Sequence, residues 1–255
     1  MSDSLSFGAI STVNKTVMEK KLTPLIKYIS NTISKDLKFK TGFDYADTIE
    51  QFRNSNYDLG FIGPSPFIIA THNIKGKLKI IAGLNNKHYG QFRSVIIVRK
   101  DSKIEKLSDL KGKSFAFGSP QSTLSYYMPM NILQKNNIDK ELIKYDFLGK
   151  HDRIAKYIIM GKYDAGGIKA SVAKKYSKYL KIIYMSELVP DFIIVASAKM
   201  PDNIIKKIQK ALLKPEASKI AQSIKPSATG FRLREYKDYD HLKKIMIEIN
   251  PNALK

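Results

Sequence analysis

Short apolar runs of strand type alternate with longer amphipathic stretches almost from end to end of this chain, and that rhythm limits the folds open to it. Residues 5–10, 37–43, 59–62, 80–82 and 95–98 read as strands. Between them Met18, Leu22, Leu25, Ile26, Ile29 and Ile33 recur at helical spacing. A second helix includes 49–53, and Pro64 and Pro66 open a third that ends near His72. A second set follows after Ser102, with strands at 114–117, 163–166, 182–184 and 192–195 and helices at 124–135, 154–160, 202–213 and 239–249. Strand–helix alternation of this kind predicts an α/β chain with mostly parallel sheets covered by helices. Two sheets of modest size suit it better than one sheet of ten strands. The expected division is a discontinuous lobe of 1–93 plus 192–255 and a second lobe of 94–191, with crossing segments near 92–95 and 190–193.

Composition removes several function classes. With 255 residues, 43% apolar and 26% charged, the chain can bury a core and does not read as disordered. It has no Cys, so disulfides, thiolate metal sites and cysteine nucleophiles are excluded. The four histidines, His72, His88, His151 and His241, are widely separated, and neither a metal nor a cofactor is expected. No window approaches the roughly 20 apolar residues of a membrane span. The balance of 44 Lys+Arg against 23 Asp+Glu gives +21, which raises anionic ligands, acidic surfaces and nucleic acid as partners. The lysines, however, are dispersed from Lys15 to Lys255 without a basic block or an Arg-rich arm, so no nucleic-acid role is expected.

The most informative stretch is Phe117-Gly118-Ser119-Pro120-Gln121-Ser122-Thr123-Leu124-Ser125. A strand ends at Gly118, and hydroxyl side chains stand where a helix should begin. Such a terminus offers backbone N–H groups, the positive end of the helix dipole and side-chain hydroxyls to a tetrahedral oxyanion. An ordinary Ser/Thr cap has the same pattern. His151, after Gly149-Lys150 at the start of another helix, is either a donor to the same anion or a surface residue or cap. Tyr45, between a strand and a helix, is a ligand contact or a packed aromatic. Asp191 is a hinge point, a ligand acceptor or neither. No Gly-x-Ser-x-Gly elbow and no phosphate-binding Gly-Lys-Ser/Thr loop occurs, and no nucleophile–base pair stands out, so an enzyme is not expected.

The order of motifs resembles the periplasmic phosphonate/phosphite-binding proteins of ABC importers, with their type II solute-binding fold. It runs from Phe7-Gly8-Ala9-Ile10-Ser11-Thr12 through Asp44-Tyr45-Ala46 and Asp58-Leu59-Gly60-Phe61-Ile62-Gly63-Pro64. It continues through Ser94-Val95-Ile96-Ile97-Val98, Asp109-Leu110-Lys111-Gly112-Lys113 and Ser122-Thr123 to His151-Asp152 and Gly161-Lys162-Tyr163-Asp164-Ala165-Gly166. The resemblance implies a non-enzymatic receptor with two lobes and two crossing hinges. It would bind a small oxyanion in the cleft between the lobes, through Tyr45, Ser122, Thr123, Ser125, His151 and Asp191. It also implies an ABC permease as partner, a monomer, and a periplasmic or otherwise extracytoplasmic address with an export leader outside this sequence. The alternative is the same clamshell as the ligand-sensing domain of a signalling protein.

Three departures from the family pattern bear on the ligand. Ser122-Thr123-Leu124-Ser125 stands where the family usually reads Ser-Thr-Ser-Gly, so one hydroxyl is missing or displaced. Phe92 replaces a common Tyr. The acidic residue that some members use for a ligand amine falls near Ser171.

Overall fold

A computed structural model describes residues 4–10, 14–73 and 78–254. Ser11 and Thr12, part of the first motif of the resemblance, lie outside the described residues. The chain divides into two compact units: Met1–Gln91 with Pro190–Lys243 and Leu254–Lys255, and Phe92–Val189 with Lys244–Ala253. The expected first lobe took in all of 192–255. Residues 244–253 instead group with the second unit, where Ile249 packs against the apolar cluster around Ile96, Phe115 and Phe117.

The first unit holds a six-stranded sheet in the order Ala228–Arg232, Lys79–Asn86, Ile193–Ala196, Leu59–Ile62, Leu5–Ala9, Leu37–Lys40. Leu5–Ala9 is parallel to both neighbours, with Phe7 opposite Leu59 on one side and Phe39 on the other. Ile193–Ala196 is antiparallel to both of its neighbours. The sheet is therefore mixed rather than mostly parallel, because the returning chain inserts a reversed strand into its middle. Helix Lys15–Ile33 buries Met18, Leu22, Leu25, Ile26, Ile29 and Ile33, the stripe that helical spacing predicts. Strand Ala228–Arg232 went unread in the sequence. Its register slips between Ala228 and Gly230, which breaks the alternation that would have marked it.

The second unit holds a five-stranded sheet in the order Leu180–Met185, Ser94–Arg99, Ala165–Lys169, Ser114–Phe117, Lys144–Phe147, again mixed. Alternation sorts its side chains into two cores. Ile96, Val98, Phe115, Phe117 and Ala165 face one way, and Val95, Ile97, Ala116 and Ile168 the other. The sequence placed a strand at 163–166, but it runs over Ala165–Lys169. Asp164 accepts bonds from the Ser114 N–H and Oγ at 2.8 and 2.7 Å. Gly166 lies so close to its neighbours that a Cβ would stand 2.7 Å from Ile154 Cγ2 and 2.8 Å from the Ala116 carbonyl. The glycine pair inside this strand is thus a packing requirement. Edge strand Lys144–Phe147 is exposed along its length and was not anticipated either.

Strands Ser114–Phe117 and Ala165–Lys169 are parallel, so their carboxyl ends share one edge of the sheet. Ser94 opens the antiparallel neighbour opposite Lys169. The carboxyl edge is where open α/β sheets place their ligands.

Candidate functional site

At that edge the Ser114–Phe117 strand gives way to Gly118, whose N–H donates to the Ser125 carbonyl at 2.9 Å. A Cβ at 118 would lie 2.0 Å from Ser125 Oγ, so glycine is what lets the following turn fold back onto the strand. That turn is not the first turn of an ordinary α-helix. Thr123–Tyr127 forms a single π turn that leads into helix Met128–Lys135. The N–H groups of Tyr127 and Met128 donate to the carbonyls of Ser122 and Thr123, five residues back. The next donor in this register belongs to residue 129, which is proline and has no N–H. The Leu124 carbonyl is served instead by Ser94 Oγ at 2.7 Å, and Ser94 Oγ also lies 3.4 Å from the Ile168 carbonyl. Ser94 itself is held by a bond from its N–H to Ser186 Oγ at 2.9 Å. One buried hydroxyl therefore ties the π turn to the central strands.

Within the turn, Ser122 Oγ accepts from Ser125 Oγ at 2.7 Å and from the Ser125 N–H at 3.3 Å. With both acceptor positions engaged, the Ser122 hydroxyl proton is left to donate elsewhere. Ser125 spends its own proton on Ser122, so it stands behind that donor and polarises it. Ser122, Thr123 and Ser125 are all buried.

His151 opens helix His151–Ile159, whose Ile154, Ala155 and Ile158 are buried against the sheet. Its Nδ1 accepts the Lys169 N–H at 3.2 Å, which leaves the proton of the neutral ring on Nε2. Burial, reinforced by the Lys169 ammonium and opposed by Asp152, lowers the imidazole from 6.5 to about 4. At neutral pH, His151 is thus an uncharged ring with an Nε2–H donor. Asp152 is engaged by Lys175 at 2.6 Å and the Tyr176 hydroxyl at 2.8 Å. Burial would raise its carboxyl, but those two bonds, with the Lys175 charge, hold it below the usual range. The second unit thus brings Ser122, Thr123, Ser125 and His151 to elements that meet strand Ala165–Lys169.

The remaining two expected ligand residues belong to the first unit. Tyr45 is the first residue of helix Tyr45–Arg53, with Asp44 as its cap, accepting from the Asp47 N–H at 2.9 Å. Asp191 is 1% exposed. Its Oδ1 accepts from the Phe192 N–H at 2.9 Å, and its Oδ2 is paired with the Lys225 ammonium. The carboxylate is therefore neutralised within its own unit. Sequence reasoning missed Lys225, Ser94 and Lys169. None of the three had a local signal, because each acts through a partner far away in sequence. Among the described residues no group of three or more potential metal ligands occurs, and no helix is long and apolar enough to cross a membrane.

Comparison with known proteins gives this geometry its relatives. A family described as ABC transporter, phosphonate, periplasmic substrate-binding protein matches residues 7–239. A probable ABC transporter phosphite binding protein, PhnD1, of Prochlorococcus marinus is 26% identical over 177 residues, covering 66% of this chain and 59% of the relative. The phosphonates-binding periplasmic protein of Escherichia coli is 27% identical over 201 residues, 73% of this chain and 58% of that protein. The chain thus spans less than two thirds of either relative's length. In structure, PhnD1 of Prochlorococcus marinus in complex with methylphosphonate superposes with a TM-score of 0.86 at 23% identity, over 98% of this chain and 99% of that one. A binding component of an ABC phosphonate transporter from Pseudomonas aeruginosa gives 0.84 at 21% identity, over 98% and 87%. At these identities the structural likeness speaks to fold.

Proposed function

Because the chain belongs to the phosphonate-binding family of periplasmic ABC-transporter substrate-binding proteins, we propose that it is an extracytoplasmic, monomeric receptor. It captures a small tetrahedral oxyanion of phosphonate or phosphite type and passes it to a permease. The observation that carries this reading is the Ser122–Ser125 turn, which gathers the buried hydroxyls of Ser122, Thr123 and Ser125 just after the carboxyl end of a sheet strand, with Ser122 and Ser125 hydrogen-bonded to each other. Ser122 and Thr123 are the central anchors, Ser125 polarises Ser122, and His151 adds a neutral Nε2–H. Tyr45 and Asp191 complete the proposed ligand shell. Fixed donors of this kind replace the water around an anion without having to reorganise. Pairing with Lys225 offsets the charge that the Asp191 carboxylate would otherwise set against an anion.

The family is one of substrate-binding importer components, which supports import over a sensor role. The relatives' own descriptions differ, naming phosphite, phosphonates and, for a Mycolicibacterium smegmatis protein, phosphate import. Calorimetry with methylphosphonate, phosphite, phosphate and sulfate tests the class. A hydrogen bond from a neutral donor to a charged group contributes about 1.5–3 kcal/mol. The Ser122→Ala/Thr123→Ala variant should therefore bind on the order of 100-fold more weakly. Unchanged affinity in that variant would place the anion elsewhere.

A further inference from the structure

The first unit carries its charge unevenly on the two sides of its sheet. Helices Lys15–Ile33 and Asp202–Leu212 cover one side, burying Leu22, Leu25, Ile205 and Ile208 in the same apolar cluster as Phe7 and Leu59. Gly8 and Gly60 alternate with those two strand residues and face the other side, where a Cβ at 60 would stand 2.3 Å from Phe52. Helix Tyr45–Arg53, which supplies Phe52, carries Asp47 and Glu50 against Arg53, behind the cap Asp44. The helices of the first side turn their apolar stripes inward and expose Lys20, Lys21 and Lys27, and Lys206, Lys207 and Lys210. The acids on these two helices are Glu19 and Asp202, and Asp202 is taken by Lys79 at 2.7 Å. Among the described residues, none of these exposed lysines forms an ion pair.

Helices of the second unit are basic as well, but their cations are engaged. Lys175 pairs with Asp152, and Lys162 and Lys178 lie over Tyr157 and Tyr179, 4.7 and 5.7 Å from the ring centroids. Neither helix of the lysine layer contains Arg. The planar Arg fork suits the phosphates and base edges of nucleic acid, whereas Lys is a point charge that suits a fluid array of headgroups. Resting on the extracytoplasmic-receptor reading, we infer that the outer face of helices Lys15–Ile33 and Asp202–Leu212 docks on a membrane surface rich in anionic phospholipid. Ser122, Thr123, Ser125 and His151 belong to the other unit, so this face can be altered without touching those donors.

The test is flotation of the full chain with vesicles of equal parts phosphatidylglycerol and phosphatidylcholine, at about 0.1 M salt. The wild-type protein should bind these vesicles and not pure phosphatidylcholine, and added salt should weaken the binding. Lys206→Gln/Lys207→Gln/Lys210→Gln should bind about 30-fold more weakly, because each lysine near the surface adds to the attraction. Lys156→Gln/Lys174→Gln/Lys178→Gln removes the same charge from exposed positions of the second unit and should change vesicle affinity by less than about 3-fold. Matched melting curves and unchanged methylphosphonate affinity establish that both variants are folded. Absence of binding to the anionic vesicles, or equal losses in the two variants, overturns the inference. So does equally tight binding of a DNA duplex that is lost in the same variant. If the vesicles bind through this face while no phosphonate, phosphite or phosphate binds, the receptor reading falls and the docking surface stands. The reverse pattern loses only the docking surface.

Discussion

The Ser94 hydroxyl is a sensitive place to test how the Thr123–Tyr127 π turn is held. Ser94→Ala deletes the donor to the Leu124 carbonyl, at a residue that is 3% exposed, while Ser94 itself is 0% exposed. The proline at 129 cannot replace that donor. A buried carbonyl left without a partner costs about 1–3 kcal/mol, and for a chain of 255 residues that melts as one each kcal/mol lowers the melting temperature by roughly 2–4 °C. The π turn should loosen with the loss of its tie, so anion affinity should fall with stability. The structure also supplies a rescue. Pro129→Ala restores an N–H five residues after Leu124, in register with the bonds made by Tyr127 and Met128. Pro129→Ala alone forfeits the ring's packing against Gly167, so it should be mildly destabilising. In the double variant the losses should not add, and the cycle should show about 1 kcal/mol of favourable coupling. Urea denaturation of the four proteins, with phosphonate calorimetry alongside, measures both effects. Strict additivity, or an unchanged melting curve in Ser94→Ala, would refute the argument that Ser94 stands in for the missing proline donor.

Gly118→Ala forces Ser125 away from a Cβ that would sit 2.0 Å from its Oγ. Calorimetry should show weaker phosphonate binding, accompanied by a stability loss of about 1–3 kcal/mol from overpacking. For His151 the folded value of about 4 lies below the ordinary 6.5. The unfolded chain therefore takes up a proton first as pH falls. The stability this group contributes is intact above about pH 6.5 and is lost progressively toward pH 4, by at most about 1.4 kcal/mol per pH unit. His151→Gln should flatten that part of the stability–pH curve, and nitrogen NMR of the wild-type ring should report the Nε2–H tautomer at pH 7. A ring that titrates near 6.5 would contradict both. Lys225→Met strands the buried Asp191 carboxylate and should destabilise by about 3–5 kcal/mol. The Asp191→Asn/Lys225→Met double variant should recover part of this in the same denaturation assay, and equal losses in the two proteins would show that the pair is not coupled.

The sequence by itself determined much of the framework. The helical spacing from Met18 to Ile33 and the strand runs at 59–62, 95–98 and 114–117 name residues that, apart from the half-buried Ser114, are buried in the folded chain. Burial of an apolar stripe is a local property of periodicity, so it can be read without knowing the partners. The hydroxyl cluster after Gly118 was legible for a similar reason, because strand, glycine and Ser/Thr signal a helix start within ten residues. What tertiary structure alone decided depends on contacts distant in sequence. The glycines at 166 and 167 belong inside a strand because Ile154 and Pro129 crowd them. The Thr123–Tyr127 segment is a π turn whose Leu124 carbonyl is closed by a hydroxyl 30 residues earlier. His151 is neutral with a fixed tautomer because the Lys169 N–H reaches its Nδ1 from another element. Asp191 is neutralised by Lys225, 34 residues away. Periodicity reports which face of a segment leaves water, whereas hydrogen-bond partners and charge compensation are set only when segments far apart in the chain pack together.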